Sequence, residues 1–190
     1  MNCNYVPELD KILKEAKDLK NAVKKRAVER LKIEGLDKDE RLANPEDAFF
    51  NKPEEYAMHK LAYYECFTCK GPFFGGLRDC EMELQVENQP KPEDLVCGLC
   101  KSLDFNIGQT TCEKHGEDFI EWKCMYCCTF AIWHCWGTTH FCDPCHYVAG
   151  SNKVSECKGP LICPLKGRHS PNGAEYALGC KVCRDEFIEE

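Results

Sequence analysis

Three observations predict the fold class of this 190-residue chain, a small α+β or irregular domain with short strands and several cysteine knuckles, preceded by a long amphipathic helix. Cysteine is abundant and unevenly placed: there are seventeen, and only Cys3 comes before residue 65. Beyond that point cysteine and histidine recur as pairs separated by two residues. Ahead of it, apolar residues repeat at steps of three and four.

The helix comes first along the chain. Leu9, Ile12, Leu13, Ala16, Leu19, Val23, Ala27 and Leu31 fall on one stripe, with Lys, Glu and Asp between them. Gly35 suits the end of such a helix, and the Lys-rich face reads as solvated surface. Residues 1–43 are therefore a helical linker and 44–65 a short helical connection. A second helix is expected to begin near Pro53 in NKPEEYAMHKLAYYE, where proline fits a first turn and Glu54 and Glu55 complement the helix dipole.

From 66 to 190 the chain breaks into short segments punctuated by Gly, Pro, Asn and Asp. FIEWKC and TFAIWHC carry the aromatic and β-branched enrichment of strands. GGLRDCEMELQVENQPKPEDL has no consistent period, which predicts a mobile loop over about 75–95 with Cys80 inside it.

The paired ligands explain how so little apolar material is held together. CFTC (66/69), CGLC (97/100), CEKH (112/115), CMYC (124/127), CDPC (142/145) and CKVC (180/183) each present two donors from one tight turn, the spacing of a zinc knuckle. A tetrahedral structural site takes four donors. Cys66, Cys69, Cys97, Cys100, Cys112, His115, Cys124, Cys127, Cys142, Cys145, Cys180 and Cys183 come from the knuckles. Adding Cys128, Cys157, Cys163 and His169 gives sixteen, enough for about four structural zinc ions. His140 competes with His169 for the last place, and the spacing does not say which knuckles share an ion. A zinc-rich domain of this kind draws much of its folding free energy from its metals.

Composition also narrows the partners and the compartment. The first twenty residues lack the apolar core of a secretory signal, so the thiol-rich chain is expected in a reducing, intracellular compartment, cytoplasmic or nuclear. No run approaches the roughly 20 apolar residues of a membrane span, so no membrane partner is expected. A formal net charge of −7 disfavours nucleic acid, whose backbone is bound by a surplus of Lys and Arg.

The ligand count leaves Cys3, Cys80 and Cys135. Cys80 stands apart from other ligands, with Arg78 two residues away to favour a thiolate. Cys135 lies in HCWGTTHFCDPCH, where its alternatives are a buried thiol acting as a small hydrophobe or a nucleophile. His146 directly follows the knuckle residue Cys145, so a metal-clamped backbone would hold its imidazole where it could activate a nearby thiol.

The segments PEEYAMHKLAYYECFTC, FFGGLRDC, LVCGLC, CEKHGEDFIEWKCMYCC, GTTHFCDPCH and PNGAEYALGCKVCR closely resemble the tandem cysteine domain of the Pam/Highwire family of ubiquitin ligases, the RING-Cys-relay E3 enzymes. AVKKRAVERLKIEGL resembles the helical linker that follows their RING. The resemblance implies a ubiquitin relay: Cys80 takes ubiquitin as a thioester from a charged E2 conjugating enzyme and passes it to Cys135. From Cys135 ubiquitin goes to a hydroxyl of a protein substrate, forming an ester, with His146 as general base and Asp94 assisting it. Trp136 and Phe141 match positions that shape the acceptor site. The RING lies outside this chain, so recruitment of the charged E2 is expected from a preceding segment.

Three departures bear on the acceptor. Asp94 stands for a glutamate, Trp136 for a phenylalanine, and Ala149 for a further phenylalanine of the family's acceptor site. Threonine, serine, another hydroxyl or an amine stays open as the acceptor. The rival reading is a non-catalytic zinc scaffold that binds a protein partner.

Overall fold

The computed structural model describes residues 7–78, 90–102, 105–149, 154–166 and 169–186. The chain divides into two compact units, 1–61 and 62–190.

The first unit is helical. Helix α1, Pro7–Ile33, carries Glu8 and Asp10 in its first turn and Arg30 and Lys32 in its last, each sign matched to the dipole at its end. Gly35, at φ 69°, takes the left-handed conformation that closes such a helix. Of the predicted apolar stripe only Ala27 and Leu31 are buried, while Leu9, Ile12, Leu13 and Leu19 stay exposed. The covering element is the helix predicted at Pro53, which spans Pro53–Lys60 and packs against α1.

Between these helices Tyr56 is fully buried and its hydroxyl donates to Asp39 Oδ2 at 2.5 Å. The same carboxylate caps a short helix, Glu40–Ala43, by accepting from the Arg41 N–H at 2.9 Å. The bond from Tyr56, then the Arg41 N–H, hold the Asp39 carboxyl below its ordinary range. A lowered folded value means that the stabilisation is present above about pH 4 and is lost as pH falls through it. Y56F should therefore cost about 1 kcal/mol in the thermal or urea midpoint at neutral pH, less than a buried charged bond because Asp39 is partly exposed. That difference should shrink as pH falls through the lowered folded value, below which the unfolded and folded carboxyls are both protonated.

The sequence assigns LAYYE to the helical connection. The structure makes it a strand: the helix stops at Lys60 and β1 runs over Leu61–Glu65, paired with β2, Pro72–Leu77. Neighbouring tyrosines favour a pleated surface, and Tyr63 and Tyr64 meet Phe74 and Phe73 across the pair, at centroid distances of 6.0 and 6.1 Å. Gly75, Gly76 and Leu77, assigned by sequence to the loop, belong to β2. Of the remainder, Pro92–Asp94 forms a 3-10 turn, and 79–89, with Cys80, lies outside the described residues, as does Cys3.

Five further strands complete the second unit. Strands β3 (Gly108–Gln109), β7 (Ala177–Cys180) and β4 (Ile120–Trp122) form one sheet in the order β3-β7-β4, with β3 parallel and β4 antiparallel to β7. Strands β5 (Trp133–Cys135) and β6 (Thr139–Phe141) form a hairpin. FIEWKC and TFAIWHC thus contribute β4 and β5. Among the described residues beyond 61, Phe73 and Phe141 are the large apolar side chains that are buried, and seven of the other buried positions are cysteines.

Candidate metal centres and thiol site

The sixteen predicted ligands gather into four sets, each with donor atoms within 4.8 Å of one another: Cys66, Cys69, Cys97 and Cys100; Cys112, His115, Cys180 and Cys183; Cys124, Cys127, Cys142 and Cys145; Cys128, Cys157, Cys163 and His169. Two adjacent knuckles make the first set. The second closes across 71 residues, because β3 and β4 both pair with the strand that ends in Cys180. Cys127 and Cys128, neighbours in sequence, enter different sets.

The donor spacing tests whether a metal ion fits. Four sulphurs at about 2.3 Å from one tetrahedral ion stand about 3.8 Å apart, and a nitrogen and a sulphur slightly closer. Cys69 and Cys97 Sγ are 3.8 Å apart, Cys112 and Cys183 3.6 Å, and Cys127 and Cys142 3.6 Å. His115 Nδ1 is 3.5 Å from Cys180 and Cys183 Sγ, and His169 Nε2 is 3.6 Å from Cys157 Sγ. These are tetrahedron edges, far longer than a disulfide bond.

Thiol acidity in these sets points the same way. At Cys66 burial opposes ionisation, but the N–H groups of Cys69, Cys97 and Thr68 outweigh it and bring the thiol down to about 6. At Cys97, burial and then the neighbouring thiols push it up to about 12. In the second set the His115 N–H helps to bring Cys112 to about 6, while Cys112 itself pushes Cys183 to about 11. In these two sets one thiolate is favoured and another opposed; a divalent cation at the centre removes that opposition. Each set could therefore hold one metal ion.

His140 belongs to none of them. Its Nδ1 meets Glu175 Oε2 at 2.5 Å, and the last ligand place falls to His169.

The two leftover groups within the described residues come together on the hairpin. Cys135, 1% exposed, ends β5 and packs with Phe141 against Leu77, Met125, Tyr126, Trp133, Trp136, Cys145 and Ala149. His146 ends the helical turn Asp143–His146, which begins at Cys142 and includes Cys145, so the third set holds the turn at two points. Its ring stacks on Trp133 at 4.4 Å and 12° and meets Phe141 edge-on at 6.4 Å. The thiol and the imidazole thus share Trp133 and Phe141 as neighbours. Both nitrogens of His146 are buried without a hydrogen-bond partner among the described residues.

The family resemblance implies that Asp94 assists His146. The structure gives its carboxylate a different bond, accepting from the Lys91 N–H at 3.2 Å, because a carboxylate at the third position of a short turn reaches back to the N–H that opens it. Trp136 has φ 54° and Gly137 φ 68°, and the Thr138 N–H donates to the Cys135 carbonyl at 3.1 Å, so the chain turns directly after the thiol. Left-handed backbone is uncommon for a residue as large as Trp136.

Glycines dock β2 on this hairpin. The Gly137 N–H donates to the Gly75 carbonyl at 2.8 Å, and a Cβ on Gly76 would lie 1.8 Å from the His134 carbonyl oxygen. The backbone of β2 thereby comes to rest against the residue that precedes Cys135, a consequence of FFGGLRDC that sequence alone did not show. Sequence reasoning also missed Glu175, a lone carboxylate 35 residues from His140.

No family model matches this chain. Two curated relatives do, each at 40% identity: "E3 ubiquitin-protein ligase MYCBP2" from Danio rerio over 93% of this chain, and "E3 ubiquitin-protein ligase highwire" from Drosophila melanogaster over 94%. The chain is a cysteine domain of the MYCBP2/highwire type. It spans about 4% of the length of each of these relatives. Within this MYCBP2/highwire-type domain, the ligand sets account for fourteen of the fifteen described cysteines, and Cys135 is the one they leave over.

Proposed function

We propose that this chain is the ubiquitin-transferring module of an E3 ligase, built on four structural zinc ions and working by a two-cysteine relay. Identity to two E3 ligases supports the class of activity and its general partners, ubiquitin and a charged E2. The observation that carries the mechanism is the shared environment of Cys135 and His146, with β2 docked beside it. Soft thiolate and imidazole donors at tetrahedral spacing favour zinc, and four protein ligands leave no open position for chemistry, so the metal is scaffold.

In the proposed sequence the Cys80 thiolate attacks the ubiquitin–E2 thioester and the E2 thiolate leaves. Cys80 follows Leu77 by three residues, a length of chain that spans at most about 11 Å, and Leu77 packs against the cluster of Cys135 and Phe141. Cys135 then attacks the Cys80 thioester and the Cys80 thiolate leaves. Thiol-to-thiol exchange is nearly isoenergetic, so it needs proximity and a thiolate more than a driving force. Last, a substrate hydroxyl attacks the Cys135 thioester, gives its proton to His146 and expels the Cys135 thiolate. An alcohol is a far weaker acid than a thiol, which is why this step alone needs the base. Among the described residues no group bonds the His146 nitrogens, which supports one of them taking that proton. Trp136 and Phe141 line the approach of the acceptor, with threonine and serine as its expected hydroxyls. Asp94 assists His146 in the relay, with one carboxylate oxygen accepting the Lys91 N–H.

The test is to mix the zinc-loaded chain, joined to the RING segment expected to recruit the E2, with ubiquitin-charged E2 and a threonine or lysine acceptor. C80S should abolish thiol-sensitive adducts, C135S should trap ubiquitin on Cys80, and H146N should spare both loadings while lowering ester formation about 100-fold or more. A wild-type chain that forms no thiol-sensitive adduct would overturn the relay. It would also favour the second reading, a zinc scaffold that binds a protein, which the 1% exposure of Cys135 supports.

A further inference from the structure

The β5–β6 hairpin has two faces. Register pairs Trp133 with Phe141, His134 with His140 and Cys135 with Thr139, and side chains alternate along each strand. Trp133, Cys135, Thr139 and Phe141 therefore share the face on which the proposed chemistry occurs. His134 and His140 share the opposite face, away from it.

That opposite face is a built structure. The His140 ring lies between two others, stacked on Trp122 at 4.2 Å and 3° and on His134 at 4.0 Å and 11°. Phe74 meets His134 edge-on at 6.1 Å. Glu175 holds the stack from one side with both oxygens: Oε1 accepts the His140 backbone N–H at 2.9 Å, and Oε2 faces His140 Nδ1 at 2.5 Å. The Glu175 side chain is 14% exposed and that of His140 9%. None of these residues is a metal ligand, and the proposed relay uses none of them.

We propose that Glu175 is a positioning residue for Cys135, acting through His140. Gripping the backbone and the ring of His140 together fixes which residues of the hairpin face forward. The stacked His134, one residue before Cys135, passes that constraint to the thiol. The effect on ubiquitin transfer rests on the relay reading; the effect on the thiol's surroundings does not.

Side-chain chemistry sets the expectation for each substitution. Alanine removes both acceptors. Glutamine keeps one oxygen for the N–H, and its amide can donate to Nδ1 when His140 carries its proton on Nε2. Glu175→Gln should therefore restore what Glu175→Ala loses.

The experiment measures the rate at which iodoacetamide alkylates Cys135 in the zinc-loaded chain, by peptide mass spectrometry. Single-turnover loading of Cys80 and Cys135 by ubiquitin is followed beside it. E175A should raise alkylation of Cys135 at least about fivefold, the effect of roughly 1 kcal/mol in opening, with E175Q within about twofold of wild type. E175A should slow loading of Cys135 by a similar factor and leave loading of Cys80 unchanged. Because the clamp acts through His140, the E175A/H140A double variant should exceed neither single variant by more than about twofold. If E175A holds fewer than four zinc ions, Glu175→Asp, which keeps the charge and loses reach, replaces it with the same expectations. Unchanged alkylation in the alanine or aspartate variant, or factors that multiply in the double variant, would overturn the clamp. Changed alkylation in a chain whose wild type accepts no ubiquitin on either cysteine leaves the clamp standing and removes the relay.

Discussion

Stripping the metal from this chain with a strong chelator should release about four ions per molecule and shift its tryptophan emission to the red in one cooperative step. Trp122, Trp133 and Trp136 are the only tryptophans in the sequence and all belong to the second unit, so the signal reports on that unit alone. The expectation follows from how little else holds the unit. Its large buried apolar side chains, among the described residues, are Phe73 and Phe141, whereas one structural zinc site contributes about 10–16 kcal/mol in small zinc domains. A whole domain is stable by only about 5–15 kcal/mol. Emission that stays unshifted after metal analysis finds no ion would show that the apolar contacts suffice.

G76A should also be damaging, although it adds a single methyl group at a position that is not a metal ligand. At φ 116° Gly76 occupies a conformation that L-residues rarely adopt, and the new Cβ would stand 1.8 Å from the His134 carbonyl oxygen and 2.8 Å from its carbon. That neighbour is backbone and cannot rotate away, so β2 and β5 must separate. Backbone strain and overpacking together should cost about 3 kcal/mol or more, read as a lowered urea midpoint at unchanged zinc content. In the proposed relay the same variant should still load Cys80 but hand over to Cys135 poorly. G35A, where a Cβ meets nothing within 4 Å, is the control: it shares the positive φ without the collision.

What could be read from the sequence follows from distance along the chain. A knuckle is a local object, two donors on one turn, and the helices at Pro7 and Pro53 announce themselves through period and caps within a few residues. The pairing of knuckles into centres is not local: the second centre joins Cys112 to Cys183 through a two-residue strand that no periodicity could reveal. LAYYE read as helix because it continues one, and became a strand because its tyrosines found Phe73 and Phe74. At the thiol site the sequence picked out Cys135 and His146 but could not show that they share Trp133 as a neighbour, nor that Asp94 would cap its own turn. Glu175 left no trace in the sequence, since its partner lies on another strand and its own segment is irregular.

The adjacency of Cys127 and Cys128 has a consequence for how damage spreads. One peptide group joins a candidate ligand of the third centre to one of the fourth, so ions held in the two sets would pull on the same short piece of backbone. Losing either ion loosens the hold on the other, and by reciprocity each raises the other's affinity. Cys157 of the fourth centre is exposed, the position at which an oxidant first meets a sulphur there. Oxidation at Cys157 would thus be felt in the third centre, whose Cys142 and Cys145 set the turn that carries His146. The base proposed for the transfer step is in this way mechanically downstream of a surface thiol.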